Sequence, residues 1–352
     1  MTGHRIALLP GDGIGPEVVA EARKVVEATG VEVAWTHLDW GSAYFHATGR
    51  MMPTDALDRV REHDALLLGA VGDPSVPDHL SLWGLLLALR QGLDLWANER
   101  PVRLLEGVPG PLAGRSPADV DMLFLRENTE GEYSGVGGRV HEGQGHEVGI
   151  EVSVFTRAAV KRLMRYAFEL AAKRRGSLVS ATKSNASRFG YVLWDEVAEE
   201  VAADFPQVRL ERVLVDALAA RMVRDPASVD VVVASNLFGD ILTDLAAALQ
   251  GGMGVAASAN VAPGSGAPGL FEPVHGSAPD IVGLGIANPL GCIWSAQLML
   301  ERLGETRAAE QILLAIEETC AGGPRTRDLG GDATTTEVGD AVAAAVERLR
   351  RG

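Results

Sequence analysis

The residues best equipped for chemistry lie in Asn236-Leu-Phe-Gly-Asp240-Ile-Leu-Thr-Asp244, directly after the apolar run Val229 to Ala234. Such a run reads as a strand and the residues after it as a helix. Asp240 and Asp244, four residues apart, then share one helical face near a strand's carboxyl end, where open α/β sheets bind ligands. Adjacent carboxylates repel each other, and a hard divalent cation, which takes oxygen ligands, relieves that repulsion. The alternative is compensation of a helix dipole by acidic residues in the first turn. Asp216, in an equivalent place after Arg209 to Val215, favours the metal, because three carboxylates on strand ends can complete one site.

Arg90, Arg100 and Arg126 form a second constellation, the last at the end of the β-like run Val120 to Leu125. Guanidinium groups grip carboxylates in bidentate fashion, so in a chain with formal charge -15 such a cluster is where a dicarboxylate can bind. Singly, each is more often a solvated residue or half of a salt bridge. Lys183 follows the run Leu178 to Ala181, and a desolvated lysine can act as a base; an exposed charge is the plainer reading. Tyr133, in Glu127-Asn-Thr-Glu-Gly-Glu-Tyr133, can donate a proton or serve as an ordinary buried tyrosine.

Two glycine loops complete the set. Gly11-Asp-Gly-Ile-Gly-Pro-Glu17 invites a dinucleotide reading, but Pro16 stands where the Rossmann fingerprint has an ordinary residue before its third glycine, and a turn leading into a helix explains the stretch. Glu272-Pro-Val-His-Gly-Ser-Ala-Pro-Asp280 combines backbone donors, an imidazole and an acid, suited to a nucleotide or to a tight surface turn.

The elements that must position these groups are short β-rich runs alternating with amphipathic helical patterns: Arg5 to Leu9, Val31 to Leu38, Ala65 to Ala70, Val120 to Leu125, Leu178 to Ala181, Val208 to Val215 and Val229 to Ala234. Strands separated by helices imply a parallel or mixed sheet. Pro16 suits a first helical turn, Val18, Val19, Ala22, Val25 and Val26 repeat at helical spacing, and Gly30 ends the helix. Ala159 to Phe168 gives a similar stripe after Thr156. Gly135 to Phe155 breaks the alternation, with glycines and charges interrupting a β-like pattern. It reads as a long hairpin that pairs with a second subunit or as a surface loop. Ala257 to Gly269, rich in Gly, Pro and Ser, reads as a loop.

At 352 residues, 47% hydrophobic, the chain can build one large domain or two lobes. Its acidity argues against nucleic acid and anionic membrane as partners. Cys292 and Cys320, without Cys-x-x-Cys spacing, are expected as buried reduced thiols, which fits a cytoplasmic protein. The opening apolar run is too short for a signal peptide, and no later run suggests a membrane span.

In this order, from Ile6 to about Ala345, the motifs resemble the isocitrate and 3-isopropylmalate dehydrogenase family of β-decarboxylating dehydrogenases. The Asn236 to Asp244 stretch resembles its metal signature and His275-Gly-Ser-Ala-Pro its adenine loop. Val76-Pro-Asp-His79-Leu-Ser-Leu-Trp83-Gly, Arg126-Glu-Asn-Thr-Glu-Gly-Glu-Tyr133-Ser and Ser180-Ala-Thr-Lys-Ser-Asn185 are similar to the D-malate and tartrate branch. The resemblance implies an α/β fold of the isopropylmalate dehydrogenase type, with two lobes sharing a mixed sheet rather than a Rossmann domain. Residues 1–96 and 245–352 would form the large, cofactor-side lobe and 97–244 the small one, with a dimerisation arm at about 135–155. It further implies a homodimer with shared active sites, into which Lys183 and Asp216 reach from the partner. Arg90, Arg100 and Arg126 would hold a small dicarboxylate, and Tyr133, Lys183 and Asp216 would be catalytic. Asp216, Asp240 and Asp244 would bind Mg2+ or Mn2+. NAD would meet Glu272, His275, Gly276, Ser277, Ala278, Asp280, Asn288 and Asn185, with Asp280 disfavouring a 2'-phosphate. In the 3-isopropylmalate enzymes an acidic residue occupies the place of Trp83, whose indole is expected here to fill the room a C3 branch needs, which favours D-malate, then tartrate. Leu85 departs from the D-malate pattern. Rival readings are tartrate or 3-isopropylmalate as substrate, a catalytically silent regulatory subunit, which the intact acid, base and metal residues argue against, and a phosphoryl transferase, for which no P-loop is present.

Overall fold

A computed structural model describes residues 3–351. The strands are β1 (His4–Gly11), β2 (Val33–His37), β3 (Ala65–Ala70), β4 (Ala97–Arg103), β5 (Asp121–Glu127), β6 (Gly131–Val140), β7 (Val148–Val154), β8 (Ser177–Thr182), β9 (Arg209–Leu214), β10 (Val231–Ala234), β11 (Ala257–Val261) and β12 (Gly269–Pro273). Among the described residues ten of them make one mixed sheet in the order β2-β1-β3-β12-β11-β4-β5-β10-β8-β9. The four strands at one end run parallel to one another, as do the four at the other, while β11 and β4 between them pair antiparallel with both neighbours. Strands up to residue 70 and after residue 256 hold one end; strands from residues 97–234 hold the other.

β3 and β10, inside the two parallel portions, are apolar runs buried throughout, as expected for strands covered on both faces by helices, whereas the outermost strands β2 and β9 are half-exposed. The Gly15–Ala28, Leu290–Arg302, Thr306–Gly322 and Thr335–Arg351 helices pack together over one half, and the Arg157–Lys173 and Gly190–Ala202 helices over the other. Pro16 lies in the first turn of the first helix, and Thr156 caps the Arg157–Lys173 helix by accepting from Ala159 N at 3.2 Å. Trp194, fully buried, donates its indole N–H to Ser180 Oγ at 2.9 Å, so its large apolar surface carries no unpaired donor. Cys292 and Cys320 are buried and unpaired, and burial raises both thiol pKa values.

Two strands escape a reading by hydrophobic pattern. β11 falls in the stretch read as a loop, which is confined to the residues after Val261. Its sequence, ASANV, has small and polar residues where a strand signature has β-branched ones. It is nonetheless completely buried, because Ser258 and Asn260 find polar partners inside the sheet. β4, ANERPVR, hides for the same reason. The Gly135 to Phe155 excursion is the antiparallel β6–β7 hairpin, with an irregularity between Gly131 and Val136. Its Val136, Val140, Val148, Ile150 and Val152 are exposed large hydrophobics that nothing in the chain covers. Among the described residues no helix is long and apolar enough to cross a membrane.

Candidate active site

Arg90 comes from the Leu87–Gly92 helix, Arg100 from β4 and Arg126 from β5, yet the three line one cavity of about 230 Å³ with Leu82, Leu86, Tyr133, Asp240, Glu272 and His275. They are only 4%, 5% and 2% exposed. Buried guanidinium groups are costly unless paired. Glu272 Oε1 meets Arg90 Nη2 at 2.6 Å, and Asp240 pairs with Arg126 and, at 3.5 Å, with Arg100. Three cations against these two carboxylates leave one positive charge, and Arg90 Nε is buried without a partner. A cavity with surplus charge and an orphaned donor suits an anion. Burial, with Arg100 beside it, pulls the Arg126 guanidinium down to about 9 despite Asp240. Burial would raise Asp240, but Arg126, Arg100 and Arg90 outweigh it and hold the carboxyl below its ordinary value.

Asp240 and Asp244 sit on the Asn236–Leu249 helix. That helix has no acidic residue in its first turn, so dipole compensation does not explain them. Gly239 lets it lie against β5: a Cβ there would fall 2.6 Å from Arg126 Cβ. Asn236 Oδ1 accepts from Arg126 Nε at 2.9 Å, and Glu132 Oε2 accepts from Leu237 N at 3.0 Å, closing the helix N-terminus. Tyr133, next in sequence, donates its hydroxyl to Asp240 Oδ2 at 3.3 Å and lays its ring 5.6 Å from the Arg126 guanidinium carbon. Burial and then Asp240 raise the Tyr133 phenol, keeping it protonated. Asp244 is also raised, by burial and then by Asp240. Two carboxylates one helical turn apart, the charge of one raising the proton affinity of the other, suit a hard divalent cation. They are half a site: among the described residues no three acidic, imidazole or thiol groups converge.

Asp216 is not with them. It lies in the first turn of the Val215–Arg224 helix and accepts from Lys183 Nζ at 2.7 Å, which lowers its pKa. Lys183 and Asp216 are together, and neither lines the arginine cavity of their own chain.

The His275 loop borders the cavity and rests on the first glycine loop. Ile14 N donates to Ser277 O at 3.0 Å, and a Cβ on Gly13 would fall 2.1 Å from the same oxygen, so glycine is required there. Asp12 accepts from Ser42 N, Ser42 Oγ and Gly72 N, a bracing role that agrees with the failed fingerprint. His275 Nδ1 faces Gly276 O at 2.9 Å while Nε2 is buried without a partner; Ala278 has φ +43°. An orphaned imidazole nitrogen beside a strained loop fits a nucleotide base. Asp280 is exposed next to it. Asn288 is otherwise engaged: its amide donates to Asp328 Oδ2 and accepts from Leu290 N, both at 3.0 Å. Asn185 lies in an exposed turn outside the cavity.

Trp83 requires a correction. It does not line the arginine cavity; it is 40% exposed and borders a groove with Phe45, Met51 and Met52. Leu82–Leu86 forms a π-helical turn that puts Leu82 and Leu86 on the cavity wall and turns the indole aside. The ring instead meets Gly135, where a Cβ would lie 2.7 Å from Trp83 Cη2. Sequence reasoning missed Leu82, Leu86, Glu132 and Asn98. The last had a signal, since it stands two residues before Arg100 on one strand and so shares its face.

Comparison with known proteins settles the kinship. The family described as isocitrate/isopropylmalate dehydrogenase matches residues 5–342. The chain belongs to that family. It is 50% identical over 352 residues to a probable tartrate dehydrogenase/decarboxylase of Agrobacterium vitis, covering 98% of each chain. It is 51% identical over 354 residues to D-malate dehydrogenase [decarboxylating] of Escherichia coli K12, covering 97% of this chain and 98% of that one. The crystal structure of isocitrate dehydrogenase from Methylococcus capsulatus superposes with a TM-score of 0.90 at 38% identity, over 98% of this chain and 99% of that one. As a member of this family the chain is a dehydrogenase with the fold expected from its motifs.

Proposed function

We propose that this family member carries out NAD-dependent, divalent-metal-dependent oxidative decarboxylation of a small 2-hydroxy dicarboxylate, with D-malate as substrate and pyruvate, carbon dioxide and NADH as products. The observation that carries this reading is the small, net-positive cavity in which Arg90, Arg100 and Arg126 converge beside Tyr133 and Asp240. Relatives of about equal identity are named for D-malate and for tartrate, so tartrate is the second substrate.

In this reading the arginines hold the two carboxylates and Asp240 with Asp244 offers oxygen ligands to Mg2+ or Mn2+. Lys183 and Asp216, paired away from their own cavity, would serve the partner subunit's site in a homodimer. The uncovered apolar side chains of the β6–β7 hairpin support such an assembly. The sheet would then be divided between a lobe of residues 1–96 and 245–352 and a lobe of 97–244. Bound here, a divalent cation would acidify the substrate 2-hydroxyl and draw electrons from C3 as carbon dioxide leaves, and NAD would accept the hydride from C2. Lys183 takes the hydroxyl proton. Tyr133, protonated at neutral pH, returns a proton to C3. His275 to Asp280 hold the nucleotide, with the exposed Asp280 favouring a ribose hydroxyl over a 2'-phosphate.

Product analysis by NMR with D-malate, NAD and Mn2+ tests the reaction. Equimolar pyruvate and NADH are expected; oxaloacetate accumulating without loss of carbon dioxide would contradict it.

A further inference from the structure

Behind the cavity lie three buried asparagines, Asn98, Asn128 and Asn260, that do not line it and that neither substrate nor cofactor is expected to touch. Asn98 on β4 and Asn260 on β11 are register partners across the antiparallel pair and are both 0% exposed. Arg100 Nε lies 2.7 Å from Asn98 Oδ1; Asn98 Nδ2 lies 2.9 Å from Asn260 Oδ1 and 2.8 Å from Ser258 Oγ; Asn260 Nδ2 lies 2.9 Å from Glu272 Oε1, which also accepts from Arg90 Nη2 at 2.6 Å. Asn128 Nδ2 supplies a second donor to Asn260 Oδ1 at 3.1 Å.

The polarity of this run is forced. Arg100 Nε can only donate, so the atom of Asn98 facing it is the oxygen. The Asn98 nitrogen then faces Asn260, whose facing atom must be oxygen, and the Asn260 nitrogen is left to donate to Glu272. Two donors, one from each direction, converge on a single Glu272 oxygen. Turning either amide over would set donor against donor or oxygen against oxygen at two contacts at once, which in a buried setting is strongly disfavoured. The run therefore has one arrangement, and it spans from one substrate-facing guanidinium to the other.

We propose that Asn98 and Asn260 are positioning residues: a buried amide relay that locks Arg100 and Arg90 into one register and thereby sets the spacing of the two carboxylates that the cavity accepts. This rests on reading the three-arginine cavity as a dicarboxylate site. Asn260 touches neither arginine; its hydrogen bonds reach Arg100 through Asn98 and Arg90 through Glu272.

The test has a ligand-free arm and a kinetic arm. In the first, the Nε–Hε resonance of Arg100, assigned by its loss in Arg100→Lys, is followed in wild type and Asn260→Ala. The relay predicts a shifted resonance and hydrogen exchange faster by about tenfold or more, the order expected when a hydrogen bond to a charged group is loosened. An unchanged resonance overturns the relay. In the second, Asn260→Ala raises KM for D-malate about tenfold with KM for NAD unchanged. Adding Asn98→Ala multiplies this by much less than its own single effect, because both interrupt one path. Independent, multiplying effects, or equal losses on both substrates, overturn it. Should Asn260→Ala not fold, the near-isosteric Asn260→Asp serves. It keeps an oxygen toward Asn98 but sets a carboxylate against Glu272, so the Arg90 resonance should move while that of Arg100 stays; the reverse pattern counts against the relay. A wild-type enzyme binding no small dicarboxylate would sink the reading of the cavity, and the resonance arm would still decide the relay on its own.

Discussion

Replacing Tyr133 with phenylalanine separates the two halves of the proposed reaction. Tyr133 Oη makes one hydrogen bond, 3.3 Å to Asp240 Oδ2, while its ring packs beside Arg126. Phenylalanine keeps the ring and loses the bond, so stability should fall by about 1 kcal/mol or less, roughly 2 °C in Tm for a chain of this size. Loss of a positioned acid should instead slow proton return to C3 by roughly 10² to 10⁴, or about 3 to 5 kcal/mol of barrier. The second figure exceeds the first severalfold, so unfolding cannot mimic it. Single-turnover NADH absorbance with D-malate and Mn2+ reads hydride transfer, and decarboxylation of added oxaloacetate reads the second half. Hydride transfer should stay within a few-fold of wild type while decarboxylation with proton return falls by the larger factor. Equal slowing of both halves, or a Tm loss large enough to explain both, would refute the division of roles.

Asp240→Asn should weaken Mn2+ binding by tenfold or more in titration calorimetry and abolish turnover, as chelation should in wild type; full activity of metal-free enzyme would contradict the metal site. Trp83→Ala should leave the ranking of substrates unchanged, whereas Leu86→Ala, on the cavity wall, should narrow the gap between D-malate and 3-isopropylmalate in kcat/KM, each methylene removed being worth ~1 to 3 kcal/mol. Asp280→Lys should shift preference from NAD toward NADP in the ratio of kcat/KM, and equal use of both cofactors by wild type would remove the role given to Asp280. Burial pushes Glu127 up to about 7. A carboxyl raised in the folded state contributes stability that is present below about pH 4.5 and lost as pH rises through 7, so the Tm of Glu127→Gln minus that of wild type should be more positive at pH 8 than at pH 5, and a difference independent of pH would contradict the raised carboxyl.

The sequence discloses what is periodic or charged. Strands with continuous valine and leucine, the Pro16 helix start and the paired aspartates are legible because local residues suffice to explain them. β4 and β11 are not, since ANERPVR and ASANV bury polar groups whose partners lie on other strands, and no local pattern announces a partner more than a hundred residues away. The cluster of Arg90, Arg100 and Arg126 could be suspected from charge, but its wall could not. Trp83 and Leu86 differ by three positions, and a π-helical turn decides which of them meets the cavity. Lys183 and Asp216 were readable as candidates; that they face each other, away from the arginines, is a matter of tertiary placement.

The most direct measurement is kcat/KM, by NADH absorbance with Mn2+, across D-malate, tartrate, isocitrate, 3-isopropylmalate and the monocarboxylate D-lactate. Three arginines closing on a small net-positive cavity predict that D-malate ranks first, tartrate second, and that D-lactate, lacking the second carboxylate, falls by several powers of ten. Turnover of D-lactate comparable to that of D-malate, or a preference for the branched 3-isopropylmalate, would contradict the reading of the cavity as a site for a small dicarboxylate.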